Sequence, residues 1–364
     1  MNATTTVPLP PAAQVNEIAC LMLGGIGDIL ATLPTFAALA RSYPGARITA
    51  ITRRRLTPLL TGQREIARVL GYDSSLRGRL AFVRELREVR FDLWVDLHVP
   101  TFHTVSSPGK VFLRNALIMA AARTRHRLGF AVPVMRPLLT HPVPVPPDAH
   151  QAQTNIVDIT LDLLPGNATR PRTKQLTLAP ADLAWAAARL PGGDAPVFAY
   201  FFGGRQPSSH WPVPHAVSFA RRFLDEFAGA RLVLIGDLHE REMADTLLAS
   251  LPPAYRARIH DLIGQAGLTQ TAALLSLCRG AICTDSGPMH LADAVGVPLV
   301  ALFSRKNHLP VWAPVSPDAI VISRPVDCGP CFRAECPIRN HCMELITPDD
   351  VLAAVRSLNR TGVP

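Results

Sequence analysis

Two short loops combine the residue types that enzymes use to hold a polar or anionic ligand. The first reads Leu23-Gly24-Gly25-Ile26-Gly27-Asp28 and follows an apolar run. Glycines let backbone N–H groups approach a ligand closely, and the start of the following helix adds a partial positive charge. Asp28 therefore has two interpretations: a functional carboxylate at the edge of a sheet, or a residue that caps the helix.

The second loop, Thr284-Asp285-Ser286-Gly287-Pro288-Met289-His290, also follows an apolar run. Pro288 suits the first turn of a helix, so the N–H groups near Ser286 and Gly287 remain available to a ligand. A phosphate is the expected ligand, whereas Asp285 is better suited to the hydroxyl groups of a sugar. The simpler alternative is that Ser286 only caps the helix.

The first loop does not match the dinucleotide-binding pattern G-x-G-x-x-G. Counting from Gly25 gives Gly27 and then Leu30, so the third glycine is missing. The acidic residue expected at the end of the second strand is also absent, because that strand ends in Thr52-Arg53-Arg54-Arg55. Arginines at this position could hold a 2′-phosphate, which leaves NADP binding as an alternative.

The elements around the two loops alternate between strands and helices. Short apolar runs predict strands, and apolar residues that recur at helical spacing predict helices. The predicted strands are Glu17–Leu23, Ile48–Thr52, Phe91–Leu97, Val197–Phe202, Leu232–Ile235, Ala281–Thr284 and Leu299–Phe303. The predicted helices are Ile29–Ser42, Arg77–Val89, Ala181–Leu190, Pro214–Phe227, Leu268–Cys278 and Met289–Val295. This alternation is typical of α/β domains, in which helices cover both faces of a parallel sheet.

The alternation is interrupted once, which predicts two Rossmann-like domains. The Pro-rich stretch His141–Pro147 and the segment Pro165–Thr173 separate the halves, and a length of 364 residues also favours two domains. Ligands of such sheets bind at the carboxyl ends of the strands, so two domains that face one another would form a ligand-binding cleft. We assign residues 1–16 to a flexible leader, 17–170 to the N-terminal domain, 171–347 to the C-terminal domain and 348–364 to a C-terminal helix. Thr347-Pro348-Asp349-Asp350 has the residue types that begin such a helix.

Positive charge is concentrated in the first half of the chain. The formal net charge is +9, and residues 1–165 hold 18 Lys or Arg against 11 Asp or Glu, whereas residues 166–364 hold 19 against 17. The only lysines are Lys110, Lys174 and Lys306, so nearly all of the positive charge is Arg. Arg binds phosphate and carboxylate through paired hydrogen bonds. We therefore expect an anionic partner on the N-terminal half, the alternative being that these side chains are only solvated.

The composition argues against a secreted or membrane-spanning protein. No run of about 18 apolar residues is free of charge and of Pro. The N-terminal sequence has neither a basic region nor a long apolar stretch, so we do not expect a signal peptide. Seven cysteines, four of them near the C-terminal end, do not form the pattern of a secreted disulfide framework. We therefore expect the protein in a reducing cytoplasm.

The two loops, in this order, resemble those of glycosyltransferase family 9, the ADP-heptose:lipopolysaccharide heptosyltransferases. The resemblance includes Gly24–Asp28 with Leu33-Pro34 downstream, Tyr43–Thr49, Thr284–Ala292 and the late segment Met343-Glu344-x-Ile346-x-Pro348. It extends from about Ile18 to Val355 and so covers most of the chain.

The resemblance implies a GT-B fold and an inverting transfer of heptose from ADP-L-glycero-D-manno-heptose, without a catalytic metal. The implied acceptor is an inner-core sugar of lipopolysaccharide, either Kdo or heptose. Asp28 would be the general base, since inversion requires one carboxylate to take the proton of the attacking hydroxyl. The residues implied to hold the phosphates and sugar of the donor are Thr284, Asp285, Ser286, Gly287 and His290. A helix N-terminus would stabilise the departing ADP.

The expected partners are therefore the ADP-sugar donor and a lipid A-core acceptor, and no nucleic acid. On the acceptor side we place Gly25 and Gly27 together with Arg53, Arg54 and Arg55, whose charges would meet phosphate or carboxylate. Such an acceptor predicts a cytoplasmic enzyme in peripheral contact with the inner membrane.

One position departs from the pattern of the family. In the loop Gly203–Pro212 the family usually has a Lys that holds the donor phosphates, and here that position is Ser209. Arg205 could reach the same phosphates, or the donor could bind less tightly. Asp237 and Glu240 fall where the family contacts the nucleoside, although an acidic residue at a helix start is equally ordinary.

Four cysteines in the C-terminal part could hold a structural metal. Cys328, Cys331, Cys336 and Cys342 lie within 15 residues, and four thiolates can form a tetrahedral site for Zn or Fe. The alternative is four reduced thiols that pack as small apolar groups. The run Cys328-Gly329-Pro330-Cys331 matches the thioredoxin motif, but its place after two α/β halves argues against redox catalysis. The other three cysteines, which we expect in the core, are Cys20, Cys278 and Cys283.

Two other functions stay open at the level of the sequence. One is a related transferase that uses a protein acceptor or another nucleotide sugar, which Ser209 and the cysteine cluster allow. The other is a catalytically silent nucleotide-sugar-binding protein, against which the presence of Asp28 argues. His98, His103 and His126 are expected in solvated loops, and a role for them in acceptor binding is also open.

Overall fold

The computed structural model describes residues 8–100, 108–145, 153–164 and 171–360. The chain forms two compact units, Met1–Arg172 and Thr173–Pro364. The division lies beside the boundary expected from the sequence. Each unit has its own six-stranded sheet and its own hydrophobic core. Among the helices of the described residues, none has the length and apolar composition needed to cross a membrane.

The sheet of the first unit has the strand order β3-β2-β1-β4-β5-β6, and all neighbours are parallel. Its strands are β1 (Glu17–Leu21), β2 (Arg47–Arg53), β3 (Arg68–Tyr72), β4 (Leu93–Asp96), β5 (His126–Phe130) and β6 (His141–Val143). Its helices are α1 (Ile26–Ala31), α2 (Leu33–Ser42), α3 (Thr57–Leu60), α4 (Leu76–Arg87), α5 (Pro108–Ala122) and α6 (Ile156–Leu161). The chain order reverses between β1 and β4, so the loops after these two strands flank a topological switch point.

The second unit repeats this arrangement with the strand order β12-β11-β10-β7-β8-β9, again parallel throughout. Its strands are β7 (Val197–Phe201), β8 (Arg231–Leu234), β9 (Ile259–Asp261), β10 (Gly280–Thr284), β11 (Leu299–Phe303) and β12 (Ala319–Ser323). Its longer helices are α7 (Pro180–Ala187), α8 (Val213–Glu226), α9 (Arg241–Ala249), α11 (Leu268–Ser276), α12 (Gly287–Val295) and α15 (Pro348–Arg360), and the short ones are α10 (Pro253–Arg256), α13 (Leu309–Trp312) and α14 (His341–Glu344). The switch point of this sheet lies between β7 and β10.

The prediction of two parallel-sheet α/β units is therefore confirmed. Each of the seven predicted strands is present, with ends that differ by two residues or fewer. The predicted helix Ile29–Ser42 is in fact two helices, α1 and α2, which meet at Thr32. Pro34 lies in the first turn of α2 and has no N–H to continue the hydrogen bonding of α1.

The structure differs from the sequence prediction in two segments of the first unit, residues 141–143 and residues 8–16. His141–Val143, taken as part of a Pro-rich separator, forms the edge strand β6, where Pro142 is tolerated because one side of an edge strand needs no ladder hydrogen bonds. Residues 8–16, assigned to a flexible leader, are also tied down. Tyr43 donates its hydroxyl hydrogen to the carbonyl of Pro10 at 3.3 Å, and Val15 is buried.

The C-terminal helix α15 begins as expected. The hydroxyl of Thr347 accepts the N–H of Asp350 at 3.2 Å, and the Asp350 carboxylate accepts the N–H of Thr347 at 2.9 Å, which together make a capping box. The apolar face of α15 packs into the core of the second unit through Val351, Val355 and Leu358. This helix is therefore part of the second unit.

A buried ion pair fixes the first segment of the second unit on helix α12. Nζ of Lys174 donates to Oδ2 of Asp293 at 2.6 Å, and both side chains are almost fully buried. The Asp293 carboxylate also accepts the N–H groups of Val315 and Ser316. The pair therefore joins the entry of the unit to the helix that begins at the second ligand loop.

Replacing Lys174 by Met should lower the free energy of unfolding by about 3–5 kcal/mol, because the Asp293 carboxylate would stay buried without its ammonium partner. Urea unfolding followed by circular dichroism measures this change. The double variant Lys174→Met/Asp293→Asn should recover much of the loss, since Asn keeps an oxygen for Val315 and Ser316 without the charge. Losses that simply add in the double variant would contradict this account.

Candidate functional site

The glycine loop of the first unit ends at Asp28, which lies in the first turn of α1. Gly25 is the N-cap residue of this helix, and Oδ2 of Asp28 accepts the N–H of Gly25 at 2.7 Å. A side chain at Gly24 would come within 2.4 Å of the Asp28 Cβ, so only glycine fits there. The loop therefore holds the half-exposed carboxylate of Asp28 in place at the carboxyl end of β1.

Asp96 is a second carboxylate at this edge, and the sequence analysis did not single it out. It ends β4, pairs in register with Leu21 of β1, and is 3% exposed. Its oxygens accept the N–H of His98 at 3.0 Å and the amide of Asn115 at 3.3 Å. Burial raises the pKa of Asp96 to about 6, although these hydrogen bonds and Arg114 favour the charged form.

Arg114 extends this cluster towards the end of β3. Its guanidinium donates to Oδ1 of Asn115 at 3.1 Å and lies 5.8 Å from the ring centre of Tyr72. The positive charges of Arg114 and Arg53 both act on His98, whose pKa is lowered to about 4, mainly by burial. Two cations and a buried carboxyl therefore lie near the switch point of the first sheet.

The three arginines after β2 differ in their surroundings. Nε of Arg53 donates to the carbonyl of Leu23 at 2.7 Å, so this side chain ties β2 to the start of the glycine loop. Arg54 and Arg55 lie in the 3₁₀ turn Arg54–Leu56, and both side chains are exposed. Their positions are compatible with contact to a large anionic ligand.

The histidines do not behave as one group. His98 was expected in solvent, but it is 9% exposed and its ring packs edge-on against Phe112 at 5.9 Å. His126 lies in β5, half-buried, 5.3 Å from the ring of His141. His103 lies outside the described residues. The expectation of a solvated loop is therefore wrong for His98, because its ring packs against Phe112 of α5, and it is wrong for His126, which lies in a strand.

The second loop of the sequence analysis, Thr284–His290, lies at the switch point of the second sheet, between the ends of β7 and β10. Thr284 donates its hydroxyl hydrogen to the carbonyl of Gly203 at 2.6 Å, which joins the two loops. Ser286 is the N-cap residue of α12, but its side chain makes no capping hydrogen bond, and its hydroxyl donates to the carbonyl of Thr284 at 3.1 Å. The N–H groups at the start of α12 are thus not capped by Ser286.

Asp285 and His290 are both buried in this loop and helix. Burial raises the pKa of Asp285 to about 6, while Lys306 and a 3.0 Å hydrogen bond from Asn307 favour its charged form. His290 is 6% exposed, and its ring lies 6.0 Å from that of Trp312. Burial, together with the charge of Lys174, lowers the pKa of His290.

One of the acidic residues after β8 contacts the loop that follows β7. Asp237 accepts the N–H of His239 at 2.7 Å and caps a 3₁₀ turn. Glu240 is 7% exposed, and its carboxylate accepts the N–H of Asp237 at 2.9 Å and that of Gly204 at 3.1 Å. Both acids therefore have structural partners, and Glu240 fixes the backbone at Gly204.

Ser209 stands at the position where a lysine was expected, and a lysine from another loop contacts it. Ser209 is buried, and its hydroxyl accepts a hydrogen bond from Nζ of Lys306 at 2.9 Å. Arg205, which the sequence suggested as the substitute cation, is exposed. Lys306 was missed because it is almost one hundred residues away from Ser209 in the chain.

The cysteine-bearing segment, residues 326–342, contacts both loops that meet at Ser209. Ser208 donates its N–H to the carbonyl of Ala334 at 3.0 Å, and Asn340 donates its side-chain amide to the carbonyl of Pro207 at 2.6 Å. On the other side, the N–H of Phe332 bonds to the carbonyl of Lys306 at 3.0 Å. The segment therefore braces the loop after β7 against the loop after β11.

The four cysteines of this segment line one pocket, together with Arg305 and Lys306. The N–H of Arg305 donates to the sulfur of Cys342 at 3.4 Å. Burial, followed by the other three cysteines, raises the pKa of the Cys342 thiol, whereas the hydrogen bond from Arg305 lowers it. The described residues nevertheless contain no group of three or more side chains placed to hold a metal ion. The other three cysteines, Cys20, Cys278 and Cys283, are buried, as the sequence predicted.

Comparison with known proteins gives one consistent result. Residues 79–341 match the profile of glycosyltransferase family 9 (heptosyltransferase). Lipopolysaccharide heptosyltransferase 2 of Salmonella typhimurium is 26% identical over 302 residues, which are 78% of this chain and 81% of that protein. The structure of ADP-heptose lps heptosyltransferase II from E. coli is similar at a TM-score of 0.75, with 23% identity, and covers 94% of this chain and 98% of that one. The iron-containing dodecameric glycosyltransferase TibC of enterotoxigenic E. coli H10407 is similar at a TM-score of 0.56, with 14% identity over 96% and 77% of the two chains.

The pKa of Asp96 gives a prediction with a definite sign. Because the folded state binds the Asp96 proton more tightly than the unfolded state does, stability from this group is lost as pH rises through about 6. Asp96→Asn removes this loss, so the variant should gain about 2 kcal/mol relative to the parent between pH 4.5 and pH 7.5. Urea unfolding at the two pH values measures the difference.

Asp73→Asn is the matched control for this measurement. Asp73 is a half-exposed acid whose pKa is lowered, mainly by hydrogen bonds from Ser75, so its contribution to stability is lost as pH falls through this lowered pKa. Because both the ordinary pKa of 3.8 and the lowered pKa of Asp73 lie below pH 4.5, the Asp73 variant should leave the stability difference between pH 4.5 and pH 7.5 nearly unchanged. The same shift in both variants would contradict the burial argument for Asp96.

Proposed function

Because the chain belongs to glycosyltransferase family 9 and has the GT-B fold, and so is a glycosyltransferase, we propose that it transfers heptose from ADP-L-glycero-D-manno-heptose to an inner-core sugar of lipopolysaccharide, either Kdo or heptose. Two of the relatives reported above are lipopolysaccharide heptosyltransferases. The observation that carries the proposal is the loop Thr284–Gly287 at the switch point of the second sheet, where Ser286 does not cap helix α12 and the charge of the buried Lys306 acts on Asp285.

The donor half of the reaction belongs to the second unit. Uncapped N–H groups at the start of α12 suit the phosphates of ADP, and the buried Asp285 suits hydroxyl groups of the heptose. Thr284, Ser286, Gly287 and His290 would complete this side, with Arg205 and Ser209 near the phosphates and Asp237 and Glu240 near the nucleoside. The departing diphosphate would be stabilised by N–H groups and cations of the chain, so the transfer would need no catalytic cofactor.

The base is assigned to the first unit. Asp28 would take the proton of the acceptor hydroxyl while that oxygen forms a bond to the anomeric carbon. The bond between that carbon and the phosphate oxygen breaks on the opposite side, and ADP leaves with the electron pair. This displacement inverts the configuration at the anomeric carbon. The hydrogen bond from Gly25 supports the role, because it orients the carboxylate.

The acceptor is assigned to the same unit as the base. The exposed Arg54 and Arg55 and the nearby Arg53 would meet phosphate or carboxylate groups on a lipid A-core acceptor, and Gly25 and Gly27 would allow its close approach. An acceptor of this kind places the enzyme in the cytoplasm, in peripheral contact with the inner membrane.

If Asp28 is the general base, Asp28→Asn should lower kcat by about 10²–10⁴-fold. The fold should persist, because the Asn oxygen can still accept the N–H of Gly25. Turnover is measured as ADP release with ADP-heptose and a purified lipid A-core acceptor, and ADP affinity by calorimetry. ADP should bind the variant as tightly as the parent, and turnover at the parental rate would remove Asp28 from the mechanism.

Nucleotide choice tests the donor independently of the base. ADP should raise the melting temperature of the parent protein without added divalent ion, and by more than UDP or GDP does. Stabilisation by UDP alone would reject ADP-heptose while leaving the fold and Asp28 unaffected. A parent protein that binds ADP-heptose but releases no ADP with or without acceptor would reject catalysis.

We also propose that the four cysteines of residues 326–342 hold one structural Zn or Fe. The chemistry of the donor set supports this, because four thiols that line one pocket are suitable ligands for either metal. The side chains would have to draw together, since they do not form a metal site in the described structure. When bound, the metal would hold the segment that braces Ser208 and Lys306.

Elemental analysis of protein purified without added metal should find about one Zn or Fe per chain, as expected for a single four-thiolate site. Cys331→Ser should lose the metal. Cys278→Ala, which removes a cysteine outside this segment, should keep it. A parent protein without metal but with full activity would show that the four cysteines only pack.

A further inference from the structure

Lys306 carries a buried positive charge in the loop after β11. It is 8% exposed, and its Nζ donates to Oε1 of Gln206 at 2.6 Å and to Oγ of Ser209 at 2.9 Å. Both acceptors are neutral. Within the described part of the chain, no carboxylate lies at salt-bridge distance from this nitrogen, and Asp285 contributes only a longer-range attraction. A buried ammonium without a partner of opposite charge is costly, and an anionic ligand would remove that cost.

The position of Gly204 shows where such a ligand would lie. Gly204 has φ +141°, and a Cβ placed on it would lie 3.9 Å from the Cβ of Ser209 and 3.6 Å from the Cβ of Ser286. Ser209, which holds Lys306, and Ser286, which begins α12, are therefore neighbours across a position that has no side chain. The serine that holds the Lys306 ammonium group and the N-cap residue of α12 therefore border the same position.

Other cations near this position are less suitable. Arg205 is exposed, and Lys174 is buried in its ion pair with Asp293. Arg305 follows β11 immediately before Lys306, but it contributes to the pocket of the cysteines and its N–H donates to Cys342. Lys306 is thus the cation that combines burial, neutral partners and contact with Ser209.

We propose that Lys306 binds the diphosphate of the nucleotide-sugar donor, held in place by Ser209 and Gln206. This inference rests on the proposed function and deepens it, since it names the side chain that recognises the phosphates. An ammonium group and helix N–H groups on two sides of one site suit a diphosphate, which carries several negative oxygens. The ammonium group of Lys306 comes from the loop after β11. The segment 326–342 fixes that loop, because the N–H of Phe332 donates to the carbonyl of Lys306.

The test compares ADP with adenosine on three variants, by calorimetry. Lys306→Ser should weaken ADP binding by about 10–100-fold, the loss expected for a hydrogen bond between charged groups. Adenosine, which has no phosphate, should bind the variant as it binds the parent. Lys306→Ser/Ser209→Lys should regain most of the ADP affinity, because a Lys at 209 can place its ammonium group where Nζ of Lys306 lies, within 2.9 Å of the Ser209 hydroxyl. Lys110→Ser is the control, since Lys110 is an exposed lysine of the first unit and should change neither affinity.

The outcomes separate this inference from the proposed function. Unchanged ADP affinity in Lys306→Ser overturns the inference alone, as does an equal loss for ADP and adenosine. A double variant as weak as Lys306→Ser overturns the assignment of the phosphate to this position. If the parent prefers UDP and Lys306→Ser loses UDP, the inference holds and the proposed ADP donor is wrong. A parent that binds no nucleoside diphosphate overturns both.

Discussion

Reversal of the strand order beside the first strand of each sheet is the constraint on which both candidate sites depend. In a parallel sheet, consecutive right-handed crossovers carry the chain in one direction until the order reverses, and the two loops at that point diverge to opposite faces. The reversal lies between β1 and β4 in the first unit and between β7 and β10 in the second. Asp28 and Asp96 follow the first pair of strands, and Gly204 and Asp285 follow the second.

The two sheet edges each contain a buried carboxyl group, and burying its charge costs desolvation free energy. Asp96 and Asp285 are each 5% exposed or less, and burial raises the pKa of both to about 6. Each carboxyl group accepts hydrogen bonds from N–H donors and, among the described residues, forms no direct ion pair. An apolar residue at either position would avoid the desolvation cost, so these carboxyls fit a role in ligand binding better than a role in stability.

The brace formed by residues 326–342 links the C-terminal part of the chain to the carboxyl edge of the second sheet. Its backbone and Asn340 hold the loop of Ser208 on one side and the loop of Lys306 on the other. These contacts add to the direct hydrogen bond between the two loops, in which Lys306 donates to Ser209 at 2.9 Å. The four cysteines Cys328, Cys331, Cys336 and Cys342 therefore lie in the segment that contacts both loops.

Much of the architecture could be read from the chain itself, because it rests on local patterns. The central strands are apolar on both faces, and loops that contain Gly and Asp follow such strands at Gly24–Asp28 and Thr284–Gly287. The first and last strands of the sheets gave a weaker signal, because strands such as β6 and β9 are three residues long and partly polar. In strands this short, neither the length of the run nor the alternation of apolar and polar residues identifies a strand.

The contacts that complete the sites were decided only by the tertiary structure. Asn115 reaches Asp96 from a helix 19 residues away, and Lys306 reaches Ser209 across 97 residues. The sequence by itself determined that there are two parallel α/β units, each with a loop of Gly and Asp after its first or fourth strand, because the periodicity of burial is a local property. Which cation stands beside Ser209, and which carboxyl is buried beside the glycine loop, depended on the order of strands in the sheets. That order sets which distant loops become neighbours, and no local pattern encodes the distance between two loops.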